Sequence, residues 1–175
     1  MSGAVPDRTS IQRIRADQGL LLRALRIQSL TESQDAFGQP LAEARERPDR
    51  EWHRSARRSS RGDSHIWLFA LRGDEALGLI QGRKRRPATL LLFSMWIESR
   101  VRRQGLGRLL IEALEEWAHS WNATQTVLWV YERNHSAIRF YRDLGFETVD
   151  AGEDAESGAR FEAIAMERLL SRSMR

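Results

Sequence analysis

Arg102, Gly105 and Gly107 fall in one short polar turn, Ile97-Glu-Ser-Arg-Val-Arg-Arg-Gln-Gly-Leu-Gly-Arg108, between an apolar run and a long amphipathic segment. Residues of these types at this spacing can hold an anion. The first N–H groups of a helix lack internal partners and lie at the positive end of its dipole. A glycine lets a phosphate approach them with no Cβ in the way. Arg102, Arg103 and Arg108 add positive charge around Gln104 and Leu106, which suits a pyrophosphate better than a single carboxylate. A dinucleotide fold needs G-x-G-x-x-G directly after its strand. Here Leu110 stands at the third glycine position and seven residues separate Ile97 from Gly105. The P-loop pattern is absent too. Taken alone, the two glycines read equally well as a softened helix start. No cysteine occurs, which excludes disulfides, cysteine-based zinc sites and a thiol nucleophile. His53, His65, His119 and His135 have no paired metal spacing, so no metal is expected.

The elements that must position these residues are legible from periodicity. Ile11 to Arg15 is a short strand candidate, and Asp17 can cap a helix with Leu21, Leu22, Leu25 and Leu30 on one side. Pro40 and Pro48 can each open a helix, so residues 40–58 read as one broken or two short helices forming a partly exposed flap. Ser64–Leu71 and Ala76–Gln81 flank the turn residues Arg72-Gly73-Asp74 and predict a hairpin. Gly82 and Pro87 bracket a basic loop, Arg83-Lys84-Arg85-Arg86, before the doubly apolar strand Thr89–Ile97. Leu106, Leu109, Leu110, Ala113, Leu114, Trp117 and Ala118 follow helical spacing. After a strand at Thr126–Tyr131, Asn134 caps a helix with Ala137, Phe140, Tyr141 and Leu144 inward, stopped by Gly145. Phe146–Asp150 and Phe161–Arg168 close the chain as strands around an acidic loop. The class is α+β (mixed α/β), with one central mixed sheet of about 6–7 strands and about four flanking helices. A single domain over residues 1–175 is expected, with flexible ends at 1–9 and 171–175.

The [QR]-x-x-G-x-G element formed by Arg102, Gly105 and Gly107 resembles the pyrophosphate loop of the GNAT family of acetyl-CoA-dependent N-acetyltransferases. Further on, Asn134-x-x-Ala137-Ile138-x-Phe140-Tyr141-x-x-Leu144-Gly145-Phe146 is similar to that family's second signature, and Leu128–Tyr131 and Ala163–Met166 match its fifth and last strands. Asp35-Ala36-Phe37-Gly38 followed by Trp52 resembles bacterial members of unassigned substrate. The resemblance is close over 89–146 and looser over 8–60. It implies a GNAT-like fold in which the backbone of Met95, Trp96 and Ile97 pairs with pantetheine amides. The Met95 N–H would then face the thioester carbonyl, and the amides of Arg103 through Arg108 would hold the pyrophosphate. It also implies that Asn134 contacts the pantetheine arm and that Tyr141 is the general acid. Each has a plainer role available: Asn134 as an N-cap as well, Tyr141 as a core aromatic with a satisfied hydroxyl. No general base is assigned, because Leu91, Phe93 and Trp129 are apolar and Glu98 and the acidic loop are near only in sequence.

The resulting expectation is an acetyl-CoA-dependent enzyme acetylating a primary amine of a small molecule or peptide by direct attack in a ternary complex. A non-catalytic acyl-CoA-binding or regulatory module is the alternative, and a nucleic-acid-binding protein a further one. Only Lys84 among 28 basic residues is lysine. The runs at Arg57-Arg58…Arg61 and Arg83–Arg86 lack interleaved aromatics, so nucleic acid is not expected as a partner. No apolar stretch is long enough for a membrane span and residues 1–15 carry no signal-type apolar core, which predicts a cytoplasmic protein; a homodimer is compatible. The resemblance implies that Glu32, Asp35, Asp150, Glu153, Asp154 and Glu156 lie in the two loops flanking the acceptor side, an acidic rim that would favour a cationic acceptor and make anionic acceptors poor.

Overall fold

In the computed structural model, which describes residues 9–85, 87–149 and 162–170, the apolar runs pair into one seven-stranded sheet with helices on both faces. In chain order the elements are β1 (Thr9–Arg13), α1 (Gly19–Glu32), α2 (Leu41–Glu46), α3 (Asp49–Arg61), β2 (His65–Arg72), β3 (Glu75–Arg85) and β4 (Thr89–Ile97). They continue with α4 (Leu106–His119), β5 (Gln125–Tyr131), α5 (His135–Asp143), β6 (Glu147–Val149) and β7 (Ala163–Leu169). The strand order is β1-β2-β3-β4-β5-β7-β6. All neighbours are antiparallel except β4 and β5, which run parallel.

Period-two alternation divides the core between the two faces. On β2, Ile66, Leu68 and Ala70 pack with Leu110, Leu114 and Trp117 of α4, whereas Trp67, Phe69 and Leu71 pack with Leu22 and Leu25 of α1 and Trp52 of α3. Both faces of the sheet are therefore covered, and no helix of the described residues is long and apolar enough to cross a membrane. The described residues form five α-helices, one more than the approximate count, because the segment around Pro40 and Pro48 makes two.

Three local expectations change. Helix α1 is preceded by Gln18, whose Oε1 accepts from the Arg15 amide, while Asp17 pairs with the Arg15 guanidinium instead of capping. Leu109 points outward and is 42% exposed, since the apolar face of α4 is narrower than its composition suggests. The basic stretch after Gly82 is strand, with Arg83, Lys84 and Arg85 opposite Leu91, Leu90 and Thr89. Gly82 acts there as a close-approach residue: a Cβ would lie 2.5 Å from Leu114 Cδ1. Arg86, Asp150 and most of the acidic loop (151–161) lie outside the described residues, as do the ends expected to be flexible apart from Thr9.

One polar cluster locks the α4–α5 face. Glu115 of α4 accepts from Thr126 Oγ1 at 3.0 Å and pairs with Arg168 of β7. Arg168 also donates to the Leu144 carbonyl at the end of α5 and covers the Phe146 ring at 4.8 Å. Removing one partner strands a largely buried charge. Arg168→Ala should therefore cost about 2–4 kcal/mol in urea unfolding, and Glu115→Leu combined with Arg168→Met should cost less than that single change. A loss below about 0.5 kcal/mol for Arg168→Ala would remove the cluster from the stability account.

Candidate functional site

The parallel strands β4 and β5 pair only from Thr89 to Leu91 against Gln125 to Val127. Beyond that point β4 stays with β3 and β5 stays with β7, so their carboxyl ends part. A cleft of about 430 Å³ occupies the opening, lined by Leu92 to Met95, Leu128 to Tyr131, and Asn134, Ala137 and Tyr141. Arg26 of α1 and Ala36, Phe37 and Gly38 border it. No Asp or Glu is among these lining residues.

A bulge sets the direction of the β4 side chains. Leu79 opposes Trp96 and Gln81 opposes Phe93, so Ile80 faces both Ser94 and Met95. Ser94 takes a left-handed φ of +53°, which costs a non-glycine residue about 1–2 kcal/mol. The inserted residue reverses the pleat. Leu90 and Leu92 face α4, yet after the bulge Met95 and Ile97 face it and Trp96 turns into the α1–α3 core.

That reversal brings Met95 to Tyr141, whose hydroxyl donates to Met95 Sδ at 3.6 Å. Tyr141 is buried, with Phe140 and Phe146 edge-on to its ring, and burial holds its phenol well above the usual pKa of 10. The phenol is thus fully protonated at neutral pH. Asn134 accepts from the Ala137 amide at 3.1 Å as the cap of α5 and is among the residues that line the cleft. Helix α5 ends in a Schellman arrangement: Phe146 N–H donates to Tyr141 and Gly145 N–H to Arg142, with Gly145 at φ +85°.

The turn after β4 divides its work. Gly105 precedes α4 with φ +86° and open space where a Cβ would be, so its lack of a side chain serves the backbone and leaves the first α4 amides without a side-chain cap. Gly107 is packed: a Cβ there would lie 2.9 Å from both Met95 Cε and Phe140 Cζ. The start of α4 therefore abuts the bulge and α5. Arg102 does not point outward as a free cation. Its Nε donates to the Ile97 carbonyl at 2.8 Å and its Nη2 to Ser33 Oγ at 3.3 Å, with Glu32 at 3.9 Å. Arg103, at φ +60°, and Arg108 are exposed, Gln104 accepts weakly from Arg72, and Leu106 is buried.

Tyr141, Met95 and Asn134 thus meet in the cleft, and the Arg103–Arg108 turn adjoins it without lining it. Glu98 is engaged by Arg100, and neither Glu32 nor Asp35 lines the cleft. Among the described residues no group of three or more His, Cys, Asp or Glu is placed to hold a metal. Sequence reasoning missed Arg26 and the bulge at Ser94. Arg26 sits one helical turn after Leu22 on the apolar side of α1, a polar residue in a core position that could have flagged it.

A sequence model described as the Acetyltransferase (GNAT) family matches residues 27–146. The PaiA N-acetyltransferase of Thermoplasma acidophilum, solved in complex with coenzyme A, superposes with a TM-score of 0.77 at 15% identity, over 93% of this chain and 99% of that one. A GNAT-family acetyltransferase from Streptococcus pneumoniae gives 0.73 at 22% identity, over 94% and 100%. The ribosomal-protein-alanine N-acetyltransferase of Brucella melitensis gives 0.70 at 19%, over 92% and 99%. These likenesses show the fold.

The Tyr141 hydroxyl makes one weak bond to sulfur, so it contributes little to folding. Tyr141→Phe should keep unfolding free energy within about 1 kcal/mol of the parent by urea titration. A loss above about 2 kcal/mol would make the hydroxyl a structural group.

Proposed function

The chain belongs to the acetyltransferase (GNAT) family, and from that premise we propose that it transfers an acetyl group from acetyl-CoA to a primary amine of a small molecule or peptide, by direct attack in a ternary complex. The observation that carries this reading is the meeting of Tyr141 with Met95 at the bulge, in the cleft between β4 and β5 and beside the glycine-opened start of α4. A protein of this fold holds coenzyme A, which supports the choice of acyl donor.

The residues present fit that donor. The uncapped amides of the Arg103–Arg108 turn, with the exposed Arg103 and Arg108 guanidiniums, would hold a pyrophosphate. The parted edge of β4 at Met95, Trp96 and Ile97 and the side chain of Asn134 would hold the pantetheine arm. When bound, the thioester supplies an activated acyl carbon. Met95 N–H would donate to its carbonyl oxygen as negative charge builds there. The C–N bond forms as the C–S bond breaks, and Tyr141 gives the sulfur its proton. Burial keeps that proton in place over the whole working range. Among the described residues the cleft lining offers no carboxylate, and in this reading the proton of the amine leaves through water.

Acetyl-CoA or CoA should raise the melting temperature by mass action, about 2.7 kcal/mol of stabilisation at 100 times Kd, whereas NAD and ATP should not. In Gly107→Glu the rise should vanish, because the side chain displaces Met95 and Phe140 and puts a negative charge beside the cradle. An equal rise in that variant would remove the turn from the site.

Tyr141→Phe should lower kcat by roughly 10²–10⁴-fold and leave the acetyl-CoA KM nearly unchanged. The parent's kcat/KM should climb with pH as the acceptor amine loses its proton. It should show no descending limb near 10 that Tyr141→Phe removes, because a raised pKa keeps the proton donor intact beyond the usual tyrosine value. A fall centred near pH 10 that disappears in Tyr141→Phe would contradict the burial argument.

A further inference from the structure

A second cavity, of about 370 Å³, lies between α1, α3 and strands β2 to β4, and it adjoins the cleft through Arg26 and Ser94, which line both. Among the described residues its walls carry Arg26, Arg47, Arg54, Arg58 and Arg83 against one carboxylate, Glu51. We infer that this cavity holds an anionic group, a carboxylate or a phosphate, of the amine acceptor, so that the substrates are amines bearing an anion; the inference rests on the acyl-transfer reading above.

The two arginine runs of the sequence supply this cavity from different elements, Arg58 from α3 and Arg83 from β3. Alternation along β3 separates Arg83 from Lys84, which instead lies over the Trp117 and Trp121 rings at 5.6 and 5.1 Å on the α4 face. The lone carboxylate is already committed, Glu51 pairing with Arg47 Nε at 3.4 Å. Arg47 is fixed further by the Trp52 ring at 4.4 Å. Arg26, Arg54, Arg58 and Arg83 therefore border this space without an ion pair to a described carboxylate.

Arg26 is the strongest single observation. It is 6% exposed, donates to Gln39 Oε1 at 3.0 Å and to Ser29 Oγ at 3.4 Å, and covers the Phe37 ring at 4.6 Å. It forms no ion pair with a described carboxylate. Desolvation pulls its pKa down to about 10, offset only in part by Glu43. A buried guanidinium without a counter-ion is costly unless a ligand supplies one. Desolvation, and then the charges of Arg58 and Arg83, lower the His65 pKa and so disfavour a further positive charge there. From the cavity the path to the reacting groups is lined by flat rings: Arg83 covers Phe93 at 4.9 Å, and Phe93 stacks on Trp129 at 6.4 Å in the cleft. The expectation of a cationic acceptor rested on Glu32 and Asp35, which do not line the cleft, and on Asp150, Glu153, Asp154 and Glu156, which lie outside the described residues.

The test uses the full chain with acetyl-CoA and reads free-thiol release. Phenylalanine is compared with phenylalaninamide, O-phosphoethanolamine with ethanolamine, and spermidine serves as a polycation. The anionic member of each pair should have a kcat/KM about 10-fold or more higher, and spermidine should be poor. Arg58→Gln with Arg83→Gln, both at exposed positions, should shrink that preference to about threefold or less through the acceptor KM, with the acetyl-CoA KM unchanged. Binding is read separately, with saturating CoA filling the phosphate turn: inorganic phosphate should raise the melting temperature beyond chloride of equal ionic strength, and not in the double variant. A preference for the neutral or cationic amines, or a phosphate effect equal in parent and variant, overturns the inference. If CoA itself produces no rise, the acyl-transfer reading fails, and the phosphate arm alone then decides whether the cavity binds an anion.

Discussion

Backbone amides and carbonyls must find partners, and along the facing edges of β4 and β5 the sheet stops supplying them after three residue pairs. The candidate site is arranged around that gap. Each strand is held open by its other neighbour, β4 by the long β2–β3–β4 meander and β5 by full-length pairing with β7. The gap is consequently a rigid feature of the sheet. The extra residue at Ser94 then turns the side chains of β4 by one step, so that Met95 faces α4 and α5 while Trp96 anchors the opposite core. Without it Met95 would point away from Tyr141. A left-handed serine is the local cost of that geometry, placed where strain has a use.

The two faces of the sheet then take different electrostatic characters. On the α4–α5 face the charged groups are internally settled: Glu115 answers Arg168, and Lys84 rests on indole rings. What remains open there is the polarity of backbone amides at the start of α4. On the α1–α3 face the positive charges exceed their partners around a cavity, and Arg26 belongs to both spaces. Arg102 links the halves, tying the end of β4 to Ser33 and Glu32 after α1 has finished packing. A shift of α1 would thus be felt at the end of β4, although neither element carries the reacting groups alone.

Much of this was legible from residue patterns. Period-two and period-3.6 runs identified the strands, the long helix α4 and the capped helix from Asn134 to Gly145, because each bears one apolar face and its own stop signal. The turn at Gly105 and Gly107 was legible as a glycine-opened helix start, but the two glycines are needed for different reasons, one for φ and one for contact with Met95 and Phe140. Such a contact comes from residues 12 and 33 positions away in sequence and leaves no local trace. The basic stretch from Gly82 read as a loop because glycine and charge signal turns, whereas pairing with β4 overrode that propensity. Arg26 was hidden by its own helix: the spacing put it on the buried side, but only packing against Phe37 and Gln39 shows that the charge stays there.

An arginine-rich acceptor cavity also bears on the missing general base. An alkyl amine reaches the enzyme largely protonated and cannot attack in that form. A cation placed near other cations loses its proton more readily, and desolvation acts in the same direction. Arg26 shows the second effect on the protein's own residue, since burial draws even a guanidinium down to about 10. An anion on the acceptor would offset part of the positive field, yet among the described residues five guanidiniums face a single, already paired carboxylate, so an excess remains. The same charges that anchor the acceptor would therefore favour its neutral amine at the reacting end. Water in the open cleft suffices to carry the proton away, and a dedicated carboxylate there would work against the effect by stabilising the ammonium. On this proposal, the apolar character of Phe93 and Trp129 in the cleft lining suits the chemistry, since neither residue stabilises the ammonium as a carboxylate would.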